Sequence, residues 1–493
     1  MMYSLGFDIG SSSVKVALLD VTTGKALSTA FYPKEEMAIS SPQPEWAEQN
    51  PADWWNNLKL ALKDVLTTSN IDPSAIHSIG ISYQMHGLVT VDKNGDILRP
   101  AIIWCDSRAV QYGNIAFDEI GKEHCLSHML NSPGNFTASK LKWVKENEPD
   151  TYARINKIML PGDYIAYRLT NELTTTKSGL SEGIFWDFKT QSVSKELLAN
   201  YGFKTDIIPS IKDTFEIQGY LSEQAAEELD LPTGIAVSYR AGDQPNNALS
   251  LNVLNPGEVA ATAGTSGVVY GVSDQLKYDP ASRVNTFAHV NHTNIDNRLG
   301  VLLCINGTGI LNSWLRKNVA ADLDYVQMNC EASVIEPGSN GLLVFPFGNG
   351  AERVLQNQNP GATVKHLNFN IHTRAHLLRA AQEGIAFSFM YGMEVMEQTG
   401  IATKVIRAGK ANMFLSPIFR QTLADISGAT IELYETNGAL GAARGAAYGA
   451  GLYSTLEEAF ASLEKVEIIK PIERNTKSLK AAYKNWKQQL SED

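Results

Sequence analysis

The stretch "DIGSSSVK", Asp8 to Lys15, lies between the short apolar runs "MMYSLGF" and "VALLDVTTGK". An acid, a glycine and three hydroxyls interrupt what would otherwise continue as a core strand. The pattern on either side predicts two strands joined by a glycine turn, followed by a third strand at "ALSTAFYP". The same arrangement returns at "TAGTSGVVY", Thr262 to Tyr270, with Gly264 in the place of Gly10.

This repeat predicts the fold class. Strands alternate with helices such as the one in "NPADWWNNLKLALKDVLTTSN", where Asn50 is a natural N-cap and Pro51 fits the first helical position. A chain of 493 residues exceeds the size of a single core. We therefore predict two α/β domains related by duplication, residues 1–250 and 251–493, which face each other across a catalytic cleft.

Composition excludes several classes of partner. The net charge of −11 and the lack of basic runs argue against nucleic acid and against an anionic membrane. Four cysteines without C-x-x-C spacing suit reduced thiols, and no apolar run approaches the roughly 20 residues of a membrane helix. We expect a cytoplasmic protein. No heptad pattern indicates an interface between two copies of the chain. The sequence therefore does not decide the oligomeric state, and a homodimer is an open alternative.

Familiar nucleotide and metal signatures are absent from the sequence. There is no G-x-x-x-x-G-K-[ST], G-x-G-x-x-G or H-E-x-x-H motif. The pairs His124/His128 and His372/His376 have helical spacing but no neighbouring acid as a third ligand, so we predict exposed helix histidines.

The two glycine-hydroxyl turns are candidate phosphate sites. Glycine allows the backbone to approach an anion, and successive N–H groups and hydroxyls then donate to it. Ordinary tight β-turns are the alternative. Asp8 has no acidic counterpart in the second copy, where Thr262 stands. A single acid beside phosphates suits Mg²⁺ held through water, although a strand-end Asp that accepts a hydrogen bond is an equal alternative.

A second acid lies in "YRAGDQPNNALS", where Asp243 follows a predicted strand and precedes a stretch able to begin a helix. An Asp at such a junction can take a proton from a substrate hydroxyl. The commoner role of an Asp at this position is an N-cap.

Taken in order, the motifs resemble the FGGY carbohydrate kinases, which include glycerol kinase and gluconokinase and are built on the ribonuclease-H-like domain shared with actin. The resemblance spans nearly the whole chain. It is carried by "DIGSSSVK", "PEWAEQNPADWW", "QMHG", "PAIIWCDSRA", "LPGDYIAYRLTNEL", "AGDQ", "ATAGTSGVV", "SPIFRQTLADISG" and "ALGAARGAAYGAG". "QMHG" is most similar to the branch that phosphorylates D-xylulose, since glycerol kinases carry an Arg-Glu pair where Met85 and His86 stand.

The resemblance implies a role for each matching residue. Asp243 is similar to the catalytic base, and Met85, His86 and Gln244 to sugar-binding residues. Asp8 is similar to the essential acid beside Mg²⁺. The positions similar to those that bind ATP are Ser11, Ser12, Ser13, Lys15, Gly264, Thr265, Ser266, Gly309, Gly409 and Asn412. The N-terminal domain would then bind the sugar and the C-terminal domain the nucleotide.

The implied reaction is phosphoryl transfer from ATP to D-xylulose with Mg²⁺ as the metal. Trp104 is expected as a flat wall for the sugar or as a core residue. The segment "AGKANMFLSP" departs from the glycine-rich run of the family, which leaves the adenine contacts undefined. Two alternatives stay open: a kinase for gluconate or L-ribulose, and an actin-like ATPase without a sugar substrate.

Overall fold

The structure is a computed structural model that describes residues 1–490. These residues form two compact units. Unit 1 comprises Met1–Asn252, Phe287–Leu299 and Thr436–Leu463. Unit 2 comprises Val253–Thr286, Gly300–Glu435 and the chain from Glu464 onward. Both units combine sheets with helices, which confirms the predicted α/β class. A simple division into residues 1–250 and 251–493 stays a prediction.

Unit 1 is built on a six-stranded sheet. Its strands, in spatial order, are Gly219–Tyr220, Ala236–Gly242, Ile76–Tyr83, Tyr3–Ile9, Val14–Asp20 and Lys25–Tyr32. The last three form the predicted antiparallel series, and Tyr3–Ile9 pairs in parallel with Ile76–Tyr83, which pairs in parallel with Ala236–Gly242. The register aligns Ile9, Tyr83 and Gly242. The carboxyl ends of these three strands therefore meet at one edge of the sheet.

The helix Pro51–Ser69 forms as its sequence predicts. The Asn50 side chain accepts the N–H of Ala52 at 3.1 Å, and Trp54 and Leu58 contribute to a stripe with no exposed surface. The other helices of unit 1 are Val110–Ile120, Lys122–His128, Thr137–Asn147, Pro149–Arg154, Pro161–Thr170, Lys177–Glu182, Lys195–Tyr201, Glu223–Leu229, Asp243–Ser250, Gly438–Gly449 and Leu456–Phe460.

The helix Gly438–Gly449 lies directly on the strands of unit 1. A Cβ atom at Gly6 would lie 1.8 Å from the carbonyl oxygen of Ala439, and one at Gly80 would lie 2.1 Å from that of Ala442. Ser4 Oγ donates to the Ala443 carbonyl at 2.8 Å. Small residues on both elements allow this approach, as the run "NGALGAARGAAYGAG" indicates. A helix that comes late in the sequence thus completes the first unit.

Unit 2 repeats the arrangement on a seven-stranded sheet. Its strands, in spatial order, are Asn285–Ala288, Leu299–Ile305, Gly267–Ser273, Glu258–Ala263, Val405–Gly409, Thr430–Tyr434 and Lys465–Ile469. Glu258–Ala263 forms an antiparallel hairpin with Gly267–Ser273 and pairs in parallel with Val405–Gly409, which pairs in parallel with Thr430–Tyr434. The same hairpin beside parallel strands occurs in unit 1, as expected from duplication.

Five helices accompany this sheet: Gly309–Asn318, Tyr325–Ser333, Arg374–Gln398, Pro417–Ser427 and Glu473–Leu490. The last of them places Trp486 in the core of unit 2, stacked on Phe345 with ring centroids 5.1 Å apart. Within residues 1–490, no helix has the length and apolar character that would allow it to cross a bilayer.

Candidate active site

The first loop, residues 10–13, is held by its carbonyl groups. The Gly10 N–H donates to the Ser13 carbonyl at 3.0 Å, and a Cβ atom at Gly10 would lie 2.9 Å from that oxygen, so glycine is required here. The carbonyls of Ser11 and Ser12 accept from Gln49 Nε2 at 2.6 Å and from the Met37 N–H at 2.8 Å. Because C=O and N–H point in opposite directions in a trans peptide, the N–H groups of Ser12 and Ser13 point away from these partners.

Two carboxylates lie at the edge of the unit 1 sheet where the parallel strands end. Asp8 is on the strand Tyr3–Ile9 and accepts a hydrogen bond from Ser82 Oγ at 2.8 Å. Lys15 is paired opposite Asp8 in the ladder, on the same face, and is exposed. The N-terminus of the helix Gly438–Gly449 adjoins Asp8, because a Cβ atom at Gly438 would lie 2.7 Å from Asp8 Oδ2. A helix N-terminus favours such an anion.

Asp243 begins the helix Asp243–Ser250 one residue beyond the strand Ala236–Gly242. Burial, reinforced by the charge of Asp8, raises the pKa of Asp243 to about 7. The N-cap of this helix is Gly242, and no side chain caps it. The structure therefore does not support the N-cap interpretation of Asp243. A carboxyl group with a pKa near neutrality can exchange a proton at working pH.

Met85 and His86 follow the central parallel strand, at the same edge as the two acids. Met85 is buried against the strand end, where a Cβ atom at Gly242 would lie 2.6 Å from Met85 Cγ. The His86 ring packs edge-on against Phe136, with centroids 4.7 Å apart, and lies 5.4 Å from the Phe287 ring. The register that brings Asp8 beside Ser82 thus also brings together the predicted base and the predicted sugar contacts.

Gln244 is half-buried beside Asp243, and its Oε1 has no hydrogen-bond partner within residues 1–490. Its helix is tied to Gly438 by Asn246 Nδ2, which donates to the Gly438 carbonyl at 2.8 Å. Trp104 is 53% exposed, and its Nε1 donates to Ser11 Oγ at 3.3 Å. The core interpretation of Trp104 is therefore wrong, because its indole lies beside the first loop rather than in the interior.

The second loop, residues 264–266, contributes Gly264 and Thr265 to the lining of a cavity of about 600 Å³ in unit 2. The carbonyls of Gly264 and Thr265 accept the N–H groups of Gly309 and Ile310 at 3.0 and 3.1 Å. A Cβ atom at Gly309 would lie 2.3 Å from the Gly264 carbonyl oxygen, so glycine is required there as well. Of the residues expected on the nucleotide side, the cavity brings together Gly264, Thr265, Gly309 and Asn412, and its lining does not include Ser266 or Gly409.

The same cavity is lined by polar side chains that the sequence did not single out. Gln382 Nε2 donates to Asn329 Oδ1 at 3.0 Å, and Ser416 Oγ lies 3.0 Å from the same oxygen. Asn329, whose oxygen is engaged in this way, lines the cavity together with Tyr325 and Ser416. No motif signalled this set, because its members come from three separate helices or their caps.

The histidine pairs differ from the prediction of exposed helix residues. His124 and His128 are half-buried and stacked, and His128 Nδ1 lies 2.9 Å from Asp187 Oδ2. His376 is buried, and His372 precedes the helix Arg374–Gln398. The i, i+4 spacing did not signal these contacts because the partners lie elsewhere in the chain. Across residues 1–490, no group of three or more His, Cys, Asp or Glu side chains is arranged to hold a metal ion.

The duplicated units and the acids of unit 1 together define a class of protein. An antiparallel hairpin beside parallel strands, present twice, is the architecture of the actin-like ATPases. A carboxyl group with a pKa of about 7 beside a second acid suits an enzyme that removes a proton during phosphoryl transfer. The class is thus an ATP-dependent phosphotransferase of actin-like fold.

Comparison with known families makes the class specific. Residues 3–250 match the N-terminal domain, and residues 259–450 the C-terminal domain, of the FGGY family of carbohydrate kinases. The chain belongs to this family and is an ATP-dependent carbohydrate kinase. The predicted family, fold class and enzyme class are confirmed.

Individual relatives are similar over almost their full length. Xylulose kinase of Escherichia coli strain K12 is 30% identical over 469 residues, which cover 93% of this chain and 92% of that protein. The crystal structure of xylulose kinase from Rhodospirillum rubrum is 26% identical with a TM-score of 0.88, covering 99% of this chain and 98% of that one. Gluconate kinase from Lactobacillus acidophilus is 21% identical with a TM-score of 0.89, covering 99% and 98% of the two chains. This last similarity shows the fold alone.

Proposed function

We propose that this kinase transfers the terminal phosphoryl group of ATP to the primary hydroxyl of D-xylulose and forms D-xylulose 5-phosphate. The observation that carries the proposal is Asp243, an acid with a pKa of about 7 beside Met85, His86 and Gln244 at the end of the parallel strands. Relatives named xylulose kinase support the choice of sugar.

The charges around the proposed sugar site favour a neutral substrate. Met85 and Gln244 are uncharged, and the His86 ring lies 3.4 Å from the carboxylate of Glu182, which is buried. Burial raises the pKa of Glu182 well above its usual range and that of Asp243 to about 7, so this site disfavours negative charge. A sugar acid such as gluconate would bring a carboxylate to it, and none of the three predicted sugar contacts is a permanent cation. A further negative charge beside acidic groups is unfavourable in a site of low dielectric. A ketopentose avoids the conflict.

In the proposed mechanism Asp243 accepts the proton of the attacking hydroxyl. The carboxylate form, which predominates above pH 7, is the active form of the base. A positioned base contributes about 10²- to 10⁴-fold, so most of the acceleration must come from orientation and from charge stabilisation at the phosphates. The first loop donates N–H groups and serine hydroxyls to phosphate oxygens, and the cavity of unit 2 binds the nucleotide through Gly264, Thr265, Gly309 and Asn412.

The residues present fit a magnesium ion bound together with phosphates. Mg²⁺ keeps several waters and takes one or two carboxylates in addition to phosphate oxygens, rather than a cage of protein ligands. Asp8 supplies one carboxylate and, through its charge, raises the pKa of the neighbouring Asp243. The ion would neutralise charge on the transferred phosphate. Asp8 would hold it through water.

An ADP-release assay across ketopentoses, polyols and sugar acids tests the proposal. D-xylulose should give the largest sugar-stimulated release, and Asp243→Asn should lower the stimulated kcat by at least about 10²-fold. Asp53→Asn is the matched control, because Asp53 is an exposed acid in the first turn of another helix of unit 1.

Three outcomes would contradict the proposal. Sugar-independent release alone would indicate an actin-like ATPase. A preference for gluconate or L-ribulose would overturn the choice of substrate. Full stimulated activity in Asp243→Asn would remove this residue from the role of base.

A further inference from the structure

His86 has an unusual backbone conformation for a residue at a binding site. Its φ angle is +62°, in the left-handed region that is uncommon for residues other than glycine, although Asn, Asp and His adopt it more often than the rest. Such a conformation persists only where the surrounding structure imposes it. Side chains from two other parts of unit 1 hold His86 in place.

Glu182 holds the amide and the ring of His86. Its Oε2 accepts the His86 N–H at 3.2 Å, and its main-chain carbonyl oxygen lies 3.0 Å from His86 Nδ1. Because a carbonyl oxygen can only accept, Nδ1 carries the proton of the ring. Glu182 is itself buried in the short helix Lys177–Glu182. The two contacts fix the tautomer and the ring orientation.

Lys140 holds the remaining backbone group. Its Nζ donates to the His86 carbonyl at 2.8 Å, and the residue has no exposed surface. Lysine is rarely buried completely unless it is paired, because removing an ammonium group from water is costly. Burial lowers the pKa of Lys140 to about 7. Burying the Lys140 ammonium group is unfavourable, yet the group donates to the backbone of a residue with positive φ. This indicates that the contact has a role in holding His86.

We propose that Lys140 is a positioning residue, which fixes the backbone of His86 so that the imidazole meets the sugar in a single orientation. The inference rests on the proposed function, since it takes His86 to be a sugar contact. Lys140 acts through His86, and no hydrogen bond or ion pair within residues 1–490 joins it to the proposed base Asp243. Its loss is therefore expected to impair binding of the sugar more than the chemical step.

The chain offers a closely matched control on the same helix, Thr137–Asn147. Lys145 Nζ donates to the carbonyls of Tyr201 and Gly202 at 2.9 and 2.6 Å. Lys145→Met removes the same kind of contact, an ammonium group on backbone carbonyls, at a site away from His86. Because Lys145 is less buried than Lys140, thermal melting of both variants accompanies the kinetics as a measure of destabilisation. An effect transmitted by His86 raises the sugar KM only in Lys140→Met.

The test is a double-mutant cycle with His86→Ala, measured as the KM for D-xylulose, the KM for ATP and kcat. Lys140→Met should raise the sugar KM roughly tenfold to a hundredfold, as expected for a lost hydrogen bond to a charged group. The KM for ATP should change less than about twofold. In the His86→Ala background, Lys140→Met should change the sugar KM less than about twofold, because residues that act through one another are not additive.

The outcomes separate the inference from the proposed function. An unchanged sugar KM in Lys140→Met, or the same factor with and without the His86 ring, would overturn the inference. A rise of equal size in Lys145→Met would do the same. Wild-type protein without sugar-stimulated ADP release would refute the proposed function and this inference with it. If Lys140→Met does not fold, Lys140→Gln retains a shorter N–H donor, and the same non-additivity with His86→Ala is expected.

Discussion

The loops at residues 10–13 and 264–266 differ although they are built alike. Each joins two antiparallel strands, and the first strand of each pair continues into parallel pairing. In unit 1 the neighbouring parallel strands end at Tyr83 and Gly242, just before Met85 and Asp243. The corresponding strand in unit 2 ends at Gly409, shortly before Asn412 of the cavity lining. Where unit 1 has Asp8, unit 2 has Thr262. The two turns are thus built alike, but the strand before the first turn carries an acid and the strand before the second carries a threonine.

The largest effect on kcat is expected at Asp8, and only a small one at the corresponding Thr262. Asp8→Asn should lower kcat on the order of 10²- to 10³-fold, because an isosteric amide cannot supply the charge that a metal-bound phosphate requires. Thr262→Val in unit 2 should stay within about fivefold of wild type. Both variants are compared by sugar-stimulated ADP release at saturating ATP. Similar losses in the two variants would mean that the copies are not functionally distinct.

The second largest effect should be the fall of kcat/KM as the pH is lowered and Asp243 of unit 1 is protonated. Protonation of Asp243 below its pKa of about 7 removes the base, so kcat/KM should fall about tenfold per pH unit below that value. At pH 5 the expected loss is therefore about a hundredfold. Initial rates are measured from pH 5 to 8, with thermal melting at each pH as the control for folding. A flat profile between pH 5 and 7 would contradict the assignment.

Two glycine substitutions should separate nucleotide binding from catalysis. Gly309→Ala places a Cβ atom 2.3 Å from the Gly264 carbonyl oxygen, so the second loop must shift, and the KM for ATP should rise about tenfold. Gly438→Ala places one 2.7 Å from Asp8 Oδ2 and should lower kcat by about the same factor. Steady-state kinetics with both substrates distinguish the two. If either variant changed the KM for ATP and kcat by equal factors, nucleotide binding and catalysis would not be separated between these two glycines.

The smallest expected effect concerns single hydroxyls. Ser12 is exposed in the first loop, and Ser266 is half-buried in the second. Each alanine variant should raise the KM for ATP about three- to fivefold, the worth of one neutral hydrogen bond. If Ser266→Ala has no effect while Ser12→Ala does, only the first loop binds phosphate through its side chains. That result would agree with the absence of Ser266 from the cavity lining.

Local patterns in the sequence predicted the parts of the molecule that depend on local physics. The hairpins follow from alternation and a glycine turn, and the helix Pro51–Ser69 follows from its cap and apolar stripe. Asp243 was found because a strand that runs directly into a helix places its junction residue at the sheet edge. Such signals lie within about 20 residues of sequence, where helix and strand periodicities operate.

The features that the sequence did not reveal depend on distant partners. Lys140 meets His86 across 54 positions, and Glu182 meets it across 96. In the sequence, a lysine or glutamate that is buried in the fold cannot be distinguished from one on the surface until its partner is known. The same holds for Asn329, whose amide is oriented by Gln382 and Ser416. His376 has helical spacing from His372 and is nevertheless buried, because spacing alone does not say which helix face packs.

The helix Gly438–Gly449 has a consequence for biosynthesis. Arg444 of this helix donates to the Gly24 carbonyl at 2.7 Å, and its backbone covers Gly6 and Gly80. A ribosome has therefore released most of the chain before unit 1 can close over its first strands. A nascent fragment that ends near Asn252 would keep the glycine face of its sheet open to water. Assembly around Asp8 then waits until the chain has been translated beyond Gly449, because the helix that adjoins Asp8 comes so late in the sequence.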